Sequence, residues 1–210
     1  MHSTPITLQA FIKRVFDLTM AILSLPFLIP VIIIIGVLIK IESVGPVVYA
    51  LERIGKDRKP FRYLKFRTMY VNAEERLAQL LTSNADAKLE WDKYWKLNND
   101  PRVTKIGTFL RKTSLDELPQ IFNVLMGVMS FVGPRPLLSY EADHLEDWQK
   151  ERFSCKPGLT GLAQVNFKKI TNIEEMIKMD LEYIEKQSLC LDIMILLRTV
   201  SIVVRKEGGY

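Results

Sequence analysis

The run from Leu18 to Ile39, LTMAILSLPFLIPVIIIIGVLI, decides how this chain is organised. It carries no charge, and its roughly 22 residues are enough to cross a bilayer as one helix. It is too long for a signal peptide, and no small-residue cleavage site follows it. Two features argue against a simple crossing. Pro26 and Pro30 both lie inside the run, and each removes a backbone hydrogen bond and crowds the turn before it, which bends a helix. Cations also flank both ends: Lys13 and Arg14 before it, and Lys40, Arg53, Lys56, Arg58 and Lys59 after it. The positive-inside rule places both flanks on the cytoplasmic side. A helix that enters, breaks near Pro30 and leaves by the same face satisfies both. The expectation is a re-entrant helix–break–helix anchor over residues 1–43, followed by a folded domain, 44–210, on the cytoplasmic face.

Working outward, the whole chain has 210 residues, enough for one domain with a real core. Lys and Arg number 29 against 24 Asp and Glu, a net +5 that suits phosphate ligands or an anionic membrane surface. The basic residues are scattered and no nucleic-acid-binding signature is present, so nucleic acid is not an expected partner. Cys155 and Cys190 stand apart, which argues against a disulfide framework or a zinc site. His2 and His144 are too isolated for a histidine metal centre.

Past the apolar run, Gly45 to Tyr49 reads as a turn into a short strand. Residues 53–59 form a basic loop. Phe61 to Arg67 alternates apolar and basic, a strand pattern that sets Lys65 and Arg67 on one face and Arg62, Leu64 and Phe66 on the other. Asn72 to Lys96 looks helical, with an interruption at residues 83–86. Residues 98–102 make a turn, and 103–111 lead onward. Leu137 to Arg152 reads as helical, Pro157 to Gly161 as a glycine-bearing loop, and Ile173 to Lys186 as an amphipathic helix. Leu189 to Val204 is strongly apolar but holds Asp192 and Arg198, so a helix packed on the domain or lying in the interface fits better than a span. The fold class expected is α+β and mostly helical, with a few short strands and interfacial amphipathic helices.

The chemistry concentrates in RKTSLDELPQIFNVLMGVMSFVGPRP, residues 111–136. An acidic pair, Asp116 and Glu117, stands between Arg111-Lys112 and Arg135. Ser114-x-x-Glu117 also fits a capping box, with Asp116 in the first turn of a helix, and that reading needs no catalysis. Pro119 makes such a start irregular, and the Gly133-Pro134-Arg135-Pro136 turn fixes an Arg more rigidly than solvation requires. Two carboxylates among fixed cations suit phosphate chemistry with a divalent metal, Mg²⁺ by preference, held by one or two carboxylates and phosphate oxygens.

DELPQIFNVLMGVMSFVGPRP, together with KFRTM at 65–69, KPGLTGLAQVN at 156–166 and KRVFD at 13–17, resembles the bacterial sugar transferases, the monotopic phosphoglycosyl transferases. The motifs cover nearly the whole chain in the family's order. The resemblance implies an enzyme of the bacterial inner membrane with its catalytic domain on the cytoplasmic face. Such an enzyme passes a sugar-1-phosphate from a UDP-sugar to undecaprenyl (polyprenyl) phosphate and releases UMP, opening the assembly of an exopolysaccharide, capsule or O-antigen. A long segment ending in a DPRVT-like element, here Asp100 to Thr104, implies a hexose such as galactose or glucose, with an N-acetylated amino sugar as the alternative. A homo-oligomer stays open.

The same resemblance assigns roles. Asp116 matches the nucleophile that takes the sugar phosphate as an acyl phosphate, and Glu117 the Mg²⁺ ligand, with Asp116 beside it. Arg111 and Arg135 match phosphate-binding positions, joined by Lys65 and Arg67. Gln164, Asn166, Lys168 and Asp180 match the nucleotide-sugar side. Pro30, with Pro26 sharing the task, matches the membrane break. The chain departs from the family at Gly127-Val128, where an Asp usually follows the Gly, and at Phe167-Lys168, where Gly-Arg is usual; Lys168 would keep the charge but lose the planar fork. These departures are the sole support for one competing reading, a membrane-anchored scaffold without catalysis; a third reading is an ordinary glycosyltransferase that moves the sugar without its phosphate and releases UDP.

Overall fold

The computed structural model of the protein describes residues 8–94, 97, 100–167, 170 and 172–205. The apolar run sits inside a single helix, α1 (Leu8–Glu42), of 35 residues. Among the described residues it is the one helix long and apolar enough to cross a membrane. The helix runs without interruption through Pro26 and Pro30. The expected break is therefore not an interruption of helical structure. Prolines spaced four apart remove two rungs of the hydrogen-bond ladder on successive turns, and the flanking rungs carry the helix through.

One stripe of α1 faces protein. Ala21, with Leu25, Leu28 and Ile32 beside it, packs on Tyr63, Ile121, Val124 and Met129. Ile32, Ile35 and Ile39 pack on Phe66 and Leu110. The spacing of four and three residues is that of one helical face. The opposite face is apolar and uncovered: Leu23 is 64% exposed, Phe27 78% and Ile41 77%.

Beyond α1, strands β1 (Val48–Ile54) and β2 (Pro60–Phe66) form an antiparallel hairpin in register Val48↔Phe66 to Ile54↔Pro60. A one-turn 3-10 helix, Lys56–Arg58, closes it, with Asp57 and Arg58 at positive φ. Helices α2 (Ala73–Ser83) and α3 (Ala85–Tyr94) follow, divided at Asn84 as the sequence led one to expect. Helix α4 (Lys105–Thr113) starts from Thr104, whose hydroxyl accepts from the Gly107 amide at 2.8 Å. Helix α5 (Gln120–Met126) ends at Gly127, φ 81°, in the left-handed region that suits glycine.

Strand β3 (Ser130–Val132) pairs in parallel with β4 (Gly158–Thr160). Between them lie the short helix α6 (Ser139–Asp143) and a 3-10 stretch, Asp147–Ser154, so the helix expected over 137–152 is two pieces. Helices α7 (Leu162–Val165), α8 (Ile173–Glu185) and α9 (Leu189–Val204) complete the chain. Helix α9 buries Ile195 with Val132 and Tyr183, while Leu197, Val200 and Val204 stay exposed. The molecule is mostly helical with short strands, as expected.

Both ends of α1 are tied to the same folded body. Near its start, Lys13 pairs with Asp192 at 2.6 Å and Arg14 donates to the carbonyls of Val124 and Leu125. Asp17, 2% exposed, accepts from the Ser130 hydroxyl and the Phe131 amide. At its far end Glu42 accepts from the amides of Lys105 and Ile106 at 2.7 and 2.8 Å, supplying an anion to the first turn of α4.

Candidate active site

The site is built where β2 meets the turn between α4 and α5. Helix α4 ends at Ser114, whose φ of 56° is left-handed. Ser114 makes no side-chain capping bond, so the capping box read from Ser114-x-x-Glu117 does not form: an N-cap needs extended backbone, and Ser114 instead terminates the helix before it. Leu115–Glu117 follow as a single 3-10 turn, and Pro119 then opens α5. Asp116 and Glu117 are thus released from helix-start duty.

Alternation along β2 sends Tyr63 and Lys65 toward that turn. The Lys65 ammonium lies 3.3 Å from Asp116 Oδ2 and 2.7 Å from Glu117 Oε1, bridging the two carboxylates. The Tyr63 hydroxyl reaches Glu117 Oε1 at 3.4 Å. Asp116 is 8% exposed. Burial raises its pKa above the ordinary 3.8, Glu117 adds to that, and Lys65 and Arg111 oppose it. Arg111, whose Nε donates to the Thr68 hydroxyl at 2.9 Å, is itself lowered by burial, with Asp116 and Asp100 opposing. Tyr63 is pushed upward, first by burial and then by the charge of Glu117, so the phenol stays protonated and remains a donor.

Asn123, fully buried, fastens this assembly. Its side chain accepts from the Leu64 amide at 3.1 Å and donates to the Arg62 carbonyl at 2.7 Å, holding the free edge of β2 against α5. Gln120, also fully buried, lies near the Tyr63 hydroxyl, although its amide makes no hydrogen bond of normal geometry.

Arg135 belongs to the same neighbourhood: its charge acts on both Tyr63 and Arg53. Arg53 stacks over the Tyr63 ring at 5.7 Å and approaches Glu141 at 3.8 Å. Its pKa is lowered by burial, with Glu141 opposing. The Gly133–Pro136 turn is closely hemmed in. A Cβ at Gly133 would meet the Lys156 carbonyl at 2.4 Å, so only glycine fits there. The Gly133 amide donates to Thr160, and the Pro134 carbonyl accepts from Gly158.

Other sequence-derived candidates lie differently. Arg67, 7% exposed, turns its guanidinium to the carbonyls of Ser43 and Val44 and to the Ser43 hydroxyl, at 2.5 to 2.8 Å. It ties the end of α1 to β2 and is not brought to the acidic pair by any of these bonds. Asp180, 1% exposed, is bound to Arg152 at 2.5 Å. Asn166 donates to the Leu162 carbonyl and closes α7. Gln164 lies against Gly161, its Oε1 buried without a hydrogen-bond partner. Lys168 falls outside the described residues. Val128 is 37% exposed beside Gly127. Sequence reasoning missed Tyr63, Asn123 and Arg152. Period-two alternation with Lys65 was the available signal for Tyr63; the other two depend on contacts distant in sequence.

The arrangement offers a largely buried carboxylate, a second and more exposed carboxylate beside it, and cations on several sides. That is the equipment for handling a phosphoryl group. The model for the family described as bacterial sugar transferase matches residues 8–206. The chain belongs to the bacterial sugar transferase family. Among relatives of this chain, the UDP-galactose-lipid carrier transferase of Erwinia amylovora is 42% identical over 200 residues, 95% of this chain and 42% of the relative. The undecaprenyl-phosphate galactose phosphotransferase of Salmonella typhimurium is also 42% identical, with the same coverage. The exopolysaccharide production protein ExoY of Sinorhizobium fredii is 38% identical over 94% of this chain and 88% of its own. The chain thus spans less than half the length of the first two and most of the third.

Proposed function

We propose that the chain transfers a sugar-1-phosphate from a UDP-sugar to a polyprenyl phosphate, releasing UMP, on the cytoplasmic face of the bacterial inner membrane. The observation that carries this reading is the Lys65 ammonium bridging Asp116 and Glu117, which shows both carboxylates converging on one cationic point. In the reaction an Asp116 oxygen attacks the sugar-bearing phosphorus, and the bond from that phosphorus to the UMP oxygen breaks. A polyprenyl phosphate oxygen then attacks the same phosphorus. The bond to Asp116 breaks, which regenerates the carboxylate and leaves a polyprenyl diphosphate sugar. Lys65, Arg111 and Arg135 offset the charge that two anions bring together. Tyr63 and Lys65 hold Glu117 in place beside the nucleophile.

The acidic pair fits Mg²⁺. Glu117, partly exposed, and Asp116 would hold it, and two protein carboxylates leave the remaining positions to phosphate oxygens and water, which is how Mg²⁺ is commonly bound. When bound, the ion neutralises phosphate charge. The names of the first two relatives favour galactose as the sugar, and the third favours an exopolysaccharide as the destination.

Helix α1 supports membrane attachment. A straight helix of 35 residues is about 50 Å long, yet contacts to the folded body run from Lys13 to Glu42. These contacts support a helix whose two ends share one side of the bilayer with its apolar outer face immersed, without the break in helical structure that the re-entrant hairpin called for. The test is UMP release across a panel of UDP-galactose, UDP-glucose and N-acetylated UDP-sugars with polyprenyl phosphate and Mg²⁺. UMP from one of them with wild type and none with Asp116→Asn is expected. UDP in place of UMP, or undiminished release in the variant, would overturn the reading.

A further inference from the structure

We propose that the buried Arg152–Asp180 pair is a positioning device for Arg135, holding its main chain so that its guanidinium meets substrate phosphate in one orientation. The proposal rests on the reading of the site given above, in which Arg135 binds phosphate.

Arg152 Nη2 donates to Asp180 Oδ2 at 2.5 Å and to the Arg135 carbonyl at 3.0 Å. Arg152 is 2% exposed and Asp180 1%. The guanidinium is poorly provided for otherwise: its Nε and Nη1 are buried with no hydrogen-bond partner. As a contribution to stability this is a weak construction, because burying two charges costs several kcal/mol each and repayment needs every donor satisfied. Among the described residues, the one hydrogen bond that leaves the ion pair goes to the active-site turn. Three neighbouring backbone groups are already paired. The Gly133 amide goes to Thr160, the Pro134 carbonyl takes Gly158, and the Leu137 carbonyl takes the Ile54 amide at 2.9 Å. Arg152 adds a fourth bond, at the carbonyl of the residue whose side chain does the binding. Pro134 and Pro136 remove further freedom on either side. With the main chain pinned at these points, less backbone order is lost when phosphate arrives at the Arg135 guanidinium. Asp180 reaches the site through this route: it holds Arg152, which holds Arg135.

The experiment is a double variant, Arg152→Met with Asp180→Leu, which removes both charges and leaves neither buried alone. Steady-state UMP release, thermal melting and amide hydrogen exchange of the peptide 133–138 are measured on it and on wild type. The expected result is a melting temperature close to wild type, KM for the UDP-sugar raised about tenfold, and faster exchange in that peptide. Wild-type KM with wild-type exchange in the double variant would reduce the pair to a packing element and overturn the proposal. Should the double variant fail to fold, Arg152→Lys keeps the charge beside Asp180 but loses the fork and its reach. A raised KM with intact melting supports positioning, and an unchanged KM overturns it. If wild type releases no UMP from any UDP-sugar, the reading of the site fails, and the exchange measurement alone decides: unchanged exchange in the 133–138 peptide overturns the positioning role.

Discussion

Lys65 carries more of the site than any other single side chain. It is the counter-charge to both carboxylates, and Asp116 is held toward its ionised form mainly by that ammonium. Lys65→Met removes the charge and keeps the length, so UMP release should fall about a hundredfold while the melting temperature moves little. A loss under threefold would show that the bridge is incidental. Tyr63→Phe deletes the hydroxyl that meets Glu117, with a smaller fall of about tenfold expected in the same assay. Asp180 makes a separate prediction. Burial raises its pKa from 3.8 to about 6 against the pull of Arg152. A raised folded-state value means that the folded protein holds a proton the unfolded chain has released. Its contribution to stability is therefore complete below pH 3.8 and is lost as pH rises to about 6. Plotted against pH, the stability of wild type relative to Asp180→Asn should decline across that window and stay level above it. A difference that rises with pH there would contradict the assignment.

At the scale of elements, the site depends on two seams. Asn123 closes one, between β2 and α5. Asn123→Leu leaves the Leu64 amide and the Arg62 carbonyl unpaired in the interior, at a cost of about 2–4 kcal/mol in chemical denaturation. Glu42 closes the other, between the end of α1 and the start of α4. Glu42→Ala should cost about 1 kcal/mol and loosen the helix that delivers Arg111. The elements themselves were largely legible. The alternation in residues 61–67 is strand β2, the interruption near Ser83 is the gap between α2 and α3, and the two C-terminal helices fall within a residue of their expected bounds. The failures have a common cause. Ser114-x-x-Glu117 satisfies a local capping rule, but chain reversal before Pro119 forces Ser114 into the left-handed region. Arg67 satisfies the alternation that pairs it with Lys65, but it lies one residue beyond the strand and finds three acceptors at the end of α1. Local pattern places a residue on a face, and long-range contact decides what that face meets.

For the whole molecule, the question is how a long apolar helix and the folded body that carries the acidic pair share one surface. The stripe of α1 from Ala21 to Ile39 is core to the domain, while its outer face and the outer face of α9 are apolar and uncovered. Two hydrogen bonds donated by the Arg14 guanidinium to the Val124 and Leu125 carbonyls, with the Lys13–Asp192 pair, fix the start of α1 beside α5 and α9. Helix α1 and the folded body therefore share one core. The convergence of Lys65, Asp116 and Glu117 was legible from motif resemblance; the dependence of that convergence on α1 was not, because it comes from packing between residues about a hundred positions apart. The most direct test of the central claim is intact-protein mass analysis after mixing with the preferred UDP-sugar and Mg²⁺, with polyprenyl phosphate withheld. The expected result is one added sugar phosphate, mapped by peptide analysis to Asp116, absent from Asp116→Asn, and discharged when polyprenyl phosphate is supplied. Steady UMP release with no adduct under rapid acid quench, or an adduct on another residue, would contradict it.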